Sequence, residues 1–254
     1  MTHILITRPL ESSQQLAKML GVRGLSSIVM PQYEFAEKEL EIDLGFALSE
    51  SEGRKLAVFT SPRAVQFGLP LLADLPKDEL EIAAIGPATR AKLKSCGYKV
   101  QVQAETGYTS EDLLQVPGLK ETPGAAVIFC APGGRKVLAT GLEGLGWQVM
   151  AAEVYRRQPL SATTEQLDSL SQADSLISVW TSISALEIAE KHLPEASWTE
   201  ILNAPAVVIS ARIQRHFENA GAILVEISDG PGNPELLQSV LRLSGHKTNG
   251  EVSI

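Results

Sequence analysis

The sequence predicts an α/β protein with parallel sheets, organised as two similar halves. Short runs of β-branched residues alternate with amphipathic segments along the 254 residues, and such alternation is typical of parallel strands connected by crossover helices. The strand candidates are short and continuously apolar, as expected for strands that are buried on both faces. A hydrophobic content of 44% is sufficient for two modest cores.

The elements follow from the apolar periodicity and from residues that mark helix ends. The predicted strands are 4–7, 27–31, 56–60, 82–85, 99–103, 126–130, 148–154, 175–180, 206–210 and 223–227. The predicted helices are 13–20, 64–72, 88–95, 111–116, 136–145, 164–171, 183–192, 211–220 and 234–243. Pro87 and Pro234 suit a first helical position, with Asn233 as N-cap before Pro234. Gly97 and Gly221 suit the position after a last helical turn.

The chain repeats itself at a nearly constant offset. ILITRP at 4–9 matches VIFCAP at 127–132, an offset of 123. VFTSPRAV at 58 matches VWTSISAL at 179, and AAIGPATRAKL at 83 matches VVISARIQRHF at 207, offsets of 121 and 124. The period is too long for a solenoid, so we expect two α/β domains of about 120 residues. Two polar, non-helical stretches, 32–41 and 155–161, occupy equivalent places in the two halves and are predicted to link the domains.

Composition excludes several function classes. No apolar run reaches the roughly 18–20 residues that span a bilayer, and the N-terminus does not resemble a signal peptide, so we expect a cytoplasmic protein without a membrane partner. The net charge is −8, and the absence of a Lys/Arg block disfavours nucleic acid. Cys96, Cys130 and the four histidines lack ligand spacing, so no metal is expected, and both thiols are predicted to be buried.

Hydroxyls, small residues and arginines follow the predicted strands at their carboxyl ends, where parallel sheets bind ligands. The candidates are Thr7, Arg8, Thr60, Ser61, Arg63, Gly86, Thr89, Arg135, Thr181, Ser182, Ser184, Ser210 and Arg212. Helix N-termini attract anions, and arginine binds carboxylates in bidentate fashion. The same residue types also cap helices. We interpret the set as serving both roles.

Cofactor motifs are weak or absent. APGGRK at 131–136 lacks the spacing of a phosphate-binding loop, and no GxGxxG or GxSxG motif is present. We therefore expect no cofactor. The Tyr155-Arg156-Arg157 step has two interpretations: a solvated linker end, or a group that faces a ligand, with the tyrosine hydroxyl as hydrogen-bond donor.

Several motifs in one order resemble those of uroporphyrinogen-III synthases. They are FTSPRAV, IGPATRAKL, the run from GGRK to VYRRQP, and the second Thr-Ser turn. The resemblance extends over nearly the whole chain. It implies two flavodoxin-like domains joined by a two-stranded β-ladder, one domain comprising 1–35 with 158–254 and the other 38–155.

The resemblance also implies a reaction and residue roles. The substrate would be hydroxymethylbilane, a linear tetrapyrrole with eight carboxylates, which is cyclised with inversion of the last ring and loss of water. Tyr155 matches the tyrosine thought to assist departure of the hydroxyl. The family's substrate-site hydroxyls match Thr60, Ser61, Thr89, Thr181 and Ser182. Arginines at positions 8, 63, 135 and 212 are predicted to bind carboxylates. Because the second half reads ISARIQ rather than a G-P-x-T turn, Ser210 and Arg212 depend on position alone.

Two other functions fit part of the pattern. Two α/β domains connected by two strands also describe small-molecule binding or sensor proteins. A flavodoxin-like or receiver-like regulator is a further alternative, although the acidic cluster of a receiver is not evident at the strand ends. We expect a monomer that acts on a small molecule.

Overall fold

The computed structural model describes residues 2–40, 43–51, 53–104, 107–133 and 136–245. The chain divides into two compact units: unit 1 comprises Met1–Glu34 with Arg157–Ile254, and unit 2 comprises Phe35–Arg156. Within the described ranges, no helix combines the length and the apolar character needed to cross a membrane.

The elements alternate as an α/β protein requires, which confirms the predicted class. Strands occupy β1 (Thr2–Ile6), β2 (Ser26–Val29), β3 (Tyr33–Glu37), β4 (Lys55–Phe59), β5 (Leu80–Ala84), β6 (Ala125–Cys130), β7 (Gln148–Glu153), β8 (Tyr155–Pro159), β9 (Ser175–Trp180), β10 (Ala206–Val208) and β11 (Val225–Ile227). Helices occupy α1 (Leu10–Val22), α2 (Leu44–Ser49), α3 (Pro62–Gly68), α4 (Pro87–Ser95), α5 (Ser110–Leu114), α6 (Lys136–Gly144), α7 (Thr164–Ser171), α8 (Ile183–His192), α9 (Glu195–Asn203), α10 (Ala211–Asn219) and α11 (Asn233–Leu243).

Unit 1 contains a five-stranded parallel sheet with the order β11-β10-β9-β1-β2. Numbered along unit 1 alone, this is the 2-1-3-4-5 order of flavodoxin-like folds. Strand β1 lies inside the unit, because Ile4, Leu5 and Ile6 are all fully buried. Leu16 of α1 and Val240 of α11 pack in the same cluster as Ile4 and Ile6. Helices therefore cover the sheet, as a continuously apolar strand requires.

Unit 2 contains a four-stranded parallel sheet with the order β5-β4-β6-β7. Consecutive residues of a strand point to opposite faces, and the core divides accordingly. Phe59 and Phe129 stack at 4.8 Å in one cluster, whereas Val58 and Ile128 belong to the other. Both faces of this sheet are thus apolar and covered.

The two sheets correspond strand by strand through the sequence repeat. By sequence match, β9 and β10 of unit 1 correspond to β4 and β5 of unit 2, and β1 and β2 correspond to β6 and β7. These matched strands therefore follow the same order in both sheets. In unit 1, however, the strands that match the end of unit 2 come first in the chain.

Two strands carry the chain between the units. The antiparallel strands β3 and β8 pair as a two-stranded sheet, as the resemblance implied. The backbone N–H of Lys38 donates to the Val154 carbonyl at 3.1 Å, and the N–H of Leu160 donates to the Gln32 carbonyl at 3.0 Å. The polar stretches predicted as linkers therefore include regular strands.

Some predicted elements were wrong. Segment 99–103 is not a strand; only Val102 forms an isolated parallel bridge, with Ala83 of β5. Helices α2 and α9 were not predicted. Gly232, not Asn233, is the N-cap of α11, and Asn233 is its first residue. Cys130 is buried as expected, but Cys96 is exposed.

Candidate active site

The Thr-Ser turn after β4 connects the sheet of unit 2 to α3. Thr60 Oγ1 donates to the Phe129 carbonyl at 3.0 Å, so its hydroxyl extends the pairing of β4 with β6. Ser61 has an extended backbone, and its Oγ accepts from the Ala64 N–H at 3.1 Å. Pro62 follows in the first helical turn, where its missing N–H costs nothing. The turn is therefore a capped helix start, as its sequence predicts.

Tyr155 meets this turn from the first position of β8. Its hydroxyl oxygen lies 3.3 Å from Ser61 Oγ, and either atom can donate. The tyrosine ring packs edge-on against Phe35 at 5.6 Å and stacks with Phe67 at 5.7 Å. Only 7% of Tyr155 is exposed. The rings of Phe35 and Phe67 therefore hold the Tyr155 ring in place, with its hydroxyl at the carboxyl end of β4.

Arg63 and the turn after β5 complete the predicted residues of unit 2. The Arg63 guanidinium lies 4.9 Å from the centre of the Phe35 ring and donates to Gln66 Oε1 at 2.7 Å. Gly86 caps α4 in an extended conformation, and a Cβ built at this position would meet nothing within 4 Å. Open space therefore adjoins the helix start. Thr89, one turn further on, is buried.

The carboxylate at the end of β7 is engaged in hydrogen bonds. Lys38 forms an ion pair with Glu153, and the Gly133 N–H donates to Glu153 Oε1 at 2.8 Å. The Lys38 hydrogen bond is the main cause of the lowered pKa of Glu153, followed by the Gly133 hydrogen bond. Burial, followed by the Glu153 charge, raises the pKa of the nearby Cys130 thiol. Glu153 is thus a weak base and Cys130 a poor nucleophile.

The equivalent Thr-Ser turn of unit 1 follows β9. Ser182 has an extended backbone, and its Oγ accepts from the Ala185 N–H at 3.1 Å to cap α8. Thr181 and Ser184, on either side, are half-buried. The turn therefore reproduces the helix start at Ser61, as the matching sequences VFTSPRAV and VWTSISAL predict.

Tyr33 meets the unit 1 turn, and sequence analysis missed it. Its hydroxyl oxygen lies 3.4 Å from Ser182 Oγ, and only 5% of the residue is exposed. The Arg157 guanidinium lies 5.5 Å from the centre of its ring. A signal was present in the sequence, because positions 33 and 155 are both tyrosine and differ by 122, within the range of the repeat offsets.

Thr7 and Arg8 follow the first strand of unit 1. Thr7 is buried, and its Oγ1 donates to the Val179 carbonyl at 2.8 Å. Its hydroxyl therefore has a structural partner in the sheet. Arg8 donates to the Asn233 side-chain oxygen and to the Pro231 carbonyl at 3.4 Å. Burial lowers the pKa of Arg8, and a smaller electrostatic interaction with Tyr33 opposes that shift.

Ser210 and Arg212 begin α10. Ser210 Oγ accepts from the Ile213 N–H at 3.4 Å, so this residue caps its helix as Ser61 and Ser182 do. Arg212 is exposed. Arg135 lies outside the described residues. Among the described residues, no group of His, Cys, Asp and Glu is arranged to hold a metal ion.

Comparison with known proteins assigns the family. A sequence model described as uroporphyrinogen-III synthase HemD matches residues 14–238, from within α1 to within α11. The chain belongs to the uroporphyrinogen-III synthase HemD family. This confirms the resemblance found in the sequence. The matched range includes the turns at Ser61 and Ser182 and both tyrosines, so both hydroxyl pairs described above lie within it.

Relatives of the HemD family share both sequence and fold with this chain. A Methanothermobacter thermautotrophicus protein with a provisional uroporphyrinogen-III synthase assignment is 32% identical over 156 residues, which are 59% of this chain and 60% of the relative. The structure of the Helicobacter pylori 26695 uroporphyrinogen-III synthetase superposes with a TM-score of 0.64 at 20% identity, covering 96% of this chain and 100% of that one. A mutant uroporphyrinogen III synthase from Thermus thermophilus gives 0.57 at 18% identity, covering 97% and 100%. These structural likenesses establish the fold.

Proposed function

We propose that this member of the HemD family converts hydroxymethylbilane to uroporphyrinogen III. The proposed reaction closes the linear tetrapyrrole with inversion of ring D and loss of water, which makes the protein a cyclising lyase of haem biosynthesis. The family match over residues 14–238 is the observation that carries the proposal. The geometry is compatible with it, since hydroxyls and helix starts dominate the strand ends described above.

Tyr155 is the proposed catalytic residue. Its hydroxyl transfers a proton to the terminal hydroxyl of the bilane as the C–O bond breaks, so that the group leaves as water. The remaining cation is conjugated with the pyrrole nitrogen, and ring closure returns a proton at the end of the reaction. The contact of Tyr155 with Ser61 at 3.3 Å supports the role, because one hydrogen bond between two hydroxyls uses only one of their two protons. The pair therefore has a second proton to donate.

The aromatic surroundings of Tyr155 suit a cationic intermediate. Phe35 and Phe67 lie within 6 Å of the Tyr155 ring, at centroid distances of 5.6 and 5.7 Å. The faces of aromatic rings attract cations, and Arg63 already lies over Phe35 at 4.9 Å. Glu153 is held by Lys38 and Gly133. We therefore assign catalysis to positioning and fixed dipoles rather than to a strong acid or base.

The remaining strand-end residues are proposed to bind the substrate's carboxylates. Arginines provide charge, and capped helix starts provide N–H donors. The set comprises Thr7, Arg8, Thr60, Ser61, Arg63, Gly86, Thr89, Arg135, Thr181, Ser182, Ser184, Ser210 and Arg212. Within it, the hydroxyls of Thr7 and Thr60 donate to the carbonyls of neighbouring strands, so we expect them to act by holding their turns.

We also propose how the protein is organised and where it acts. Residues 1–35 with 158–254 would form one domain and 38–155 the other, with linkers near 32–41 and 155–161. The protein would be a cytoplasmic monomer that requires no cofactor. The net charge of −8 supports a partner other than nucleic acid.

A product-isomer assay tests the function directly. Hydroxymethylbilane is mixed with the purified protein, and the porphyrins are oxidised and separated by isomer. We expect mainly the type III isomer, since the bilane closes without inversion when no enzyme is present. Type I product alone, formed at the rate seen in buffer, would overturn the proposed function and favour a binding or sensor protein.

A further inference from the structure

We infer that Tyr33 is a second substrate-binding tyrosine, which uses its hydroxyl to hold a carboxylate of the substrate in unit 1. The inference rests on the proposed function, because it assumes a ligand rich in carboxylates. Tyr33 was not among the residues that the family resemblance identified. It is assigned by its geometry and by the groups that surround it.

The position of Tyr33 repeats that of Tyr155. Both tyrosines are the first residue of a ladder strand, Tyr33 of β3 and Tyr155 of β8. Each places its hydroxyl beside the serine that caps the helix after the central Thr-Ser turn, at 3.4 Å from Ser182 and 3.3 Å from Ser61. The two tyrosines thus match in sequence offset, strand position and serine partner, which indicates a shared use of the hydroxyl.

The surroundings of Tyr33 point to an anionic ligand. The Arg157 guanidinium lies 5.5 Å from the centre of its ring. Arg8, in the same unit, is half-buried; burial lowers its pKa, and an electrostatic interaction with Tyr33 opposes that shift. One guanidinium group, that of Arg157, therefore lies against the Tyr33 ring, and the capped start of α8 lies beside the Tyr33 hydroxyl. Carboxylates are the groups that such a set of donors recognises.

Ser182 fixes the direction in which the Tyr33 hydroxyl can act. Ser182 Oγ accepts from the Ala185 N–H, which anchors the serine to the start of α8. We expect the Tyr33 hydroxyl to exchange this contact for a substrate oxygen when the substrate binds, since a phenol hydroxyl donates one proton at a time. A carboxylate oxygen is the strongest acceptor for that proton in a tetrapyrrole with acetate and propionate side chains.

Replacing Tyr33 by phenylalanine tests the inference. The ring and its contact with Arg157 are retained, and only the hydroxyl is lost. We expect KM for hydroxymethylbilane to rise about 10-fold, as the loss of one hydrogen bond to a charged group would cause. We expect kcat to change less than about twofold. A variant with KM and kcat equal to those of the wild type would overturn the inference.

Tyr98→Phe is the matched control. Tyr98 lies in unit 2, where its ring contacts the Lys77 ammonium at 4.3 Å, and it has no proposed role in the site. We expect this variant to keep the wild-type KM. A purely structural role of Tyr33 would lower the melting temperature without changing KM, and that result would also contradict the inference.

Equilibrium binding separates this inference from the proposed reaction. Uroporphyrin III is a stable porphyrin with the same carboxylate side chains, and its binding can be followed by titration calorimetry. We expect Tyr33→Phe to weaken its binding about 10-fold while Tyr98→Phe leaves it unchanged. If the wild-type protein forms no type III product, the reaction fails, but weaker porphyrin binding by Tyr33→Phe would still support the carboxylate site. Equal affinity of Tyr33→Phe and wild type would overturn it.

Discussion

The Tyr155–Ser61 and Tyr33–Ser182 pairs have the same geometry in different surroundings. Their hydroxyl separations are 3.3 and 3.4 Å, and both serines cap a helix that follows a central strand. Around Tyr155 the neighbours are the rings of Phe35 and Phe67. Tyr33, in contrast, has Arg157 against its ring.

This difference supports the proposal that one repeated scaffold serves two chemical roles. The Thr-Ser turn and the ladder strand fix the hydroxyl pair in both units, so the pair itself does not distinguish them. The neighbouring side chains do. Aromatic faces favour a developing cation, whereas guanidinium groups favour a carboxylate. We therefore expect changes at the Tyr155 pair to affect turnover and changes at the Tyr33 pair to affect binding.

The largest effect is expected for Tyr155→Phe. Loss of the hydroxyl removes the proposed proton donor to the leaving group, and groups of this kind typically contribute a factor of about 10² or more. We expect kcat for type III product to fall about 100-fold. KM should change little, because the ring and its contacts with Phe35 and Phe67 remain. Steady-state kinetics with isomer separation measures both parameters.

Tyr108→Phe serves as the control for this variant. Tyr108 is 67% exposed and has no proposed role, so its loss should leave kcat unchanged. The circular dichroism spectrum and melting temperature of Tyr155→Phe should remain close to those of the wild type. Wild-type turnover in Tyr155→Phe would remove Tyr155 from the mechanism. A rise of about 10-fold in KM with unchanged kcat would instead show that the Tyr155–Ser61 pair acts in binding, as is proposed for the Tyr33–Ser182 pair.

An intermediate effect is expected when either capping serine is replaced by alanine. Ser61→Ala and Ser182→Ala each remove a side-chain acceptor for a helix N–H, at 3.1 Å in both cases. The loss of such a cap costs about 1 kcal/mol of the free energy of unfolding. We expect similar destabilisation in both variants, measured by urea unfolding, because the two turns are equivalent as scaffold.

Thr163→Ala provides the capping control. Thr163 caps α7 through the Gln166 N–H at 3.2 Å and has no proposed contact with substrate. It should lose a similar amount of stability, while kcat and KM stay unchanged. The serine variants should also change activity, Ser61→Ala through kcat and Ser182→Ala through KM. Identical kinetic effects of the two serine variants would contradict the division of roles.

The smallest effect concerns the response of unit 2 to acid. Through the strand registers, the position in unit 1 that matches Glu153 is Met30, which carries no charge, so the ion pair with Lys38 has no counterpart there. The pKa of Glu153 is lowered from an ordinary value of 4.5. Its stabilising contribution is therefore complete above that value and is lost as the pH falls through the lower, folded-state value.

Melting temperatures at a series of pH values test this contribution. At about pH 6 we expect Glu153→Gln to melt slightly below the wild type, since the ion pair is lost. As the pH is lowered stepwise below 4.5 the difference should shrink, because the wild-type carboxyl becomes protonated as the pH passes through its lowered pKa. A difference that stays constant or grows on acidification would contradict the role of the Glu153 charge.

Local signals in the sequence predicted the strand–turn–helix units well. Continuous apolar runs identified β4 and β9 because both faces of these strands are buried, and Thr-Ser after each run identified the caps of α3 and α8. Segment 99–103 failed because it pairs only through Val102. A single bridge requires only one buried apolar residue, here Val102. The sequence around Val102 nevertheless has the pattern of a strand, which is why a strand was predicted.

Long-range contacts could not be predicted from local pattern. Thr7 donates to Val179, which is 172 residues away, and Arg8 bonds Asn233, 225 residues away. Sequence alone therefore assigned both residues to substrate and could not show their partners within the fold. Tyr33 was missed for a related reason, since its polar segment was interpreted as a linker and the serine it meets is 149 residues away.

The order of the strands along the chain has a consequence for synthesis on the ribosome. Unit 2 is continuous, so its strands can pair soon after they emerge. Strand β1 instead waits for β9, because Ile4 pairs with Ile177. At roughly 5–20 residues per second, this delay lasts about 10–35 s. During that time Ile4, Leu5 and Ile6, all fully buried in the finished fold, lack their main partner strand. Strand β1 therefore depends on protection from aggregation until β9 has been synthesised.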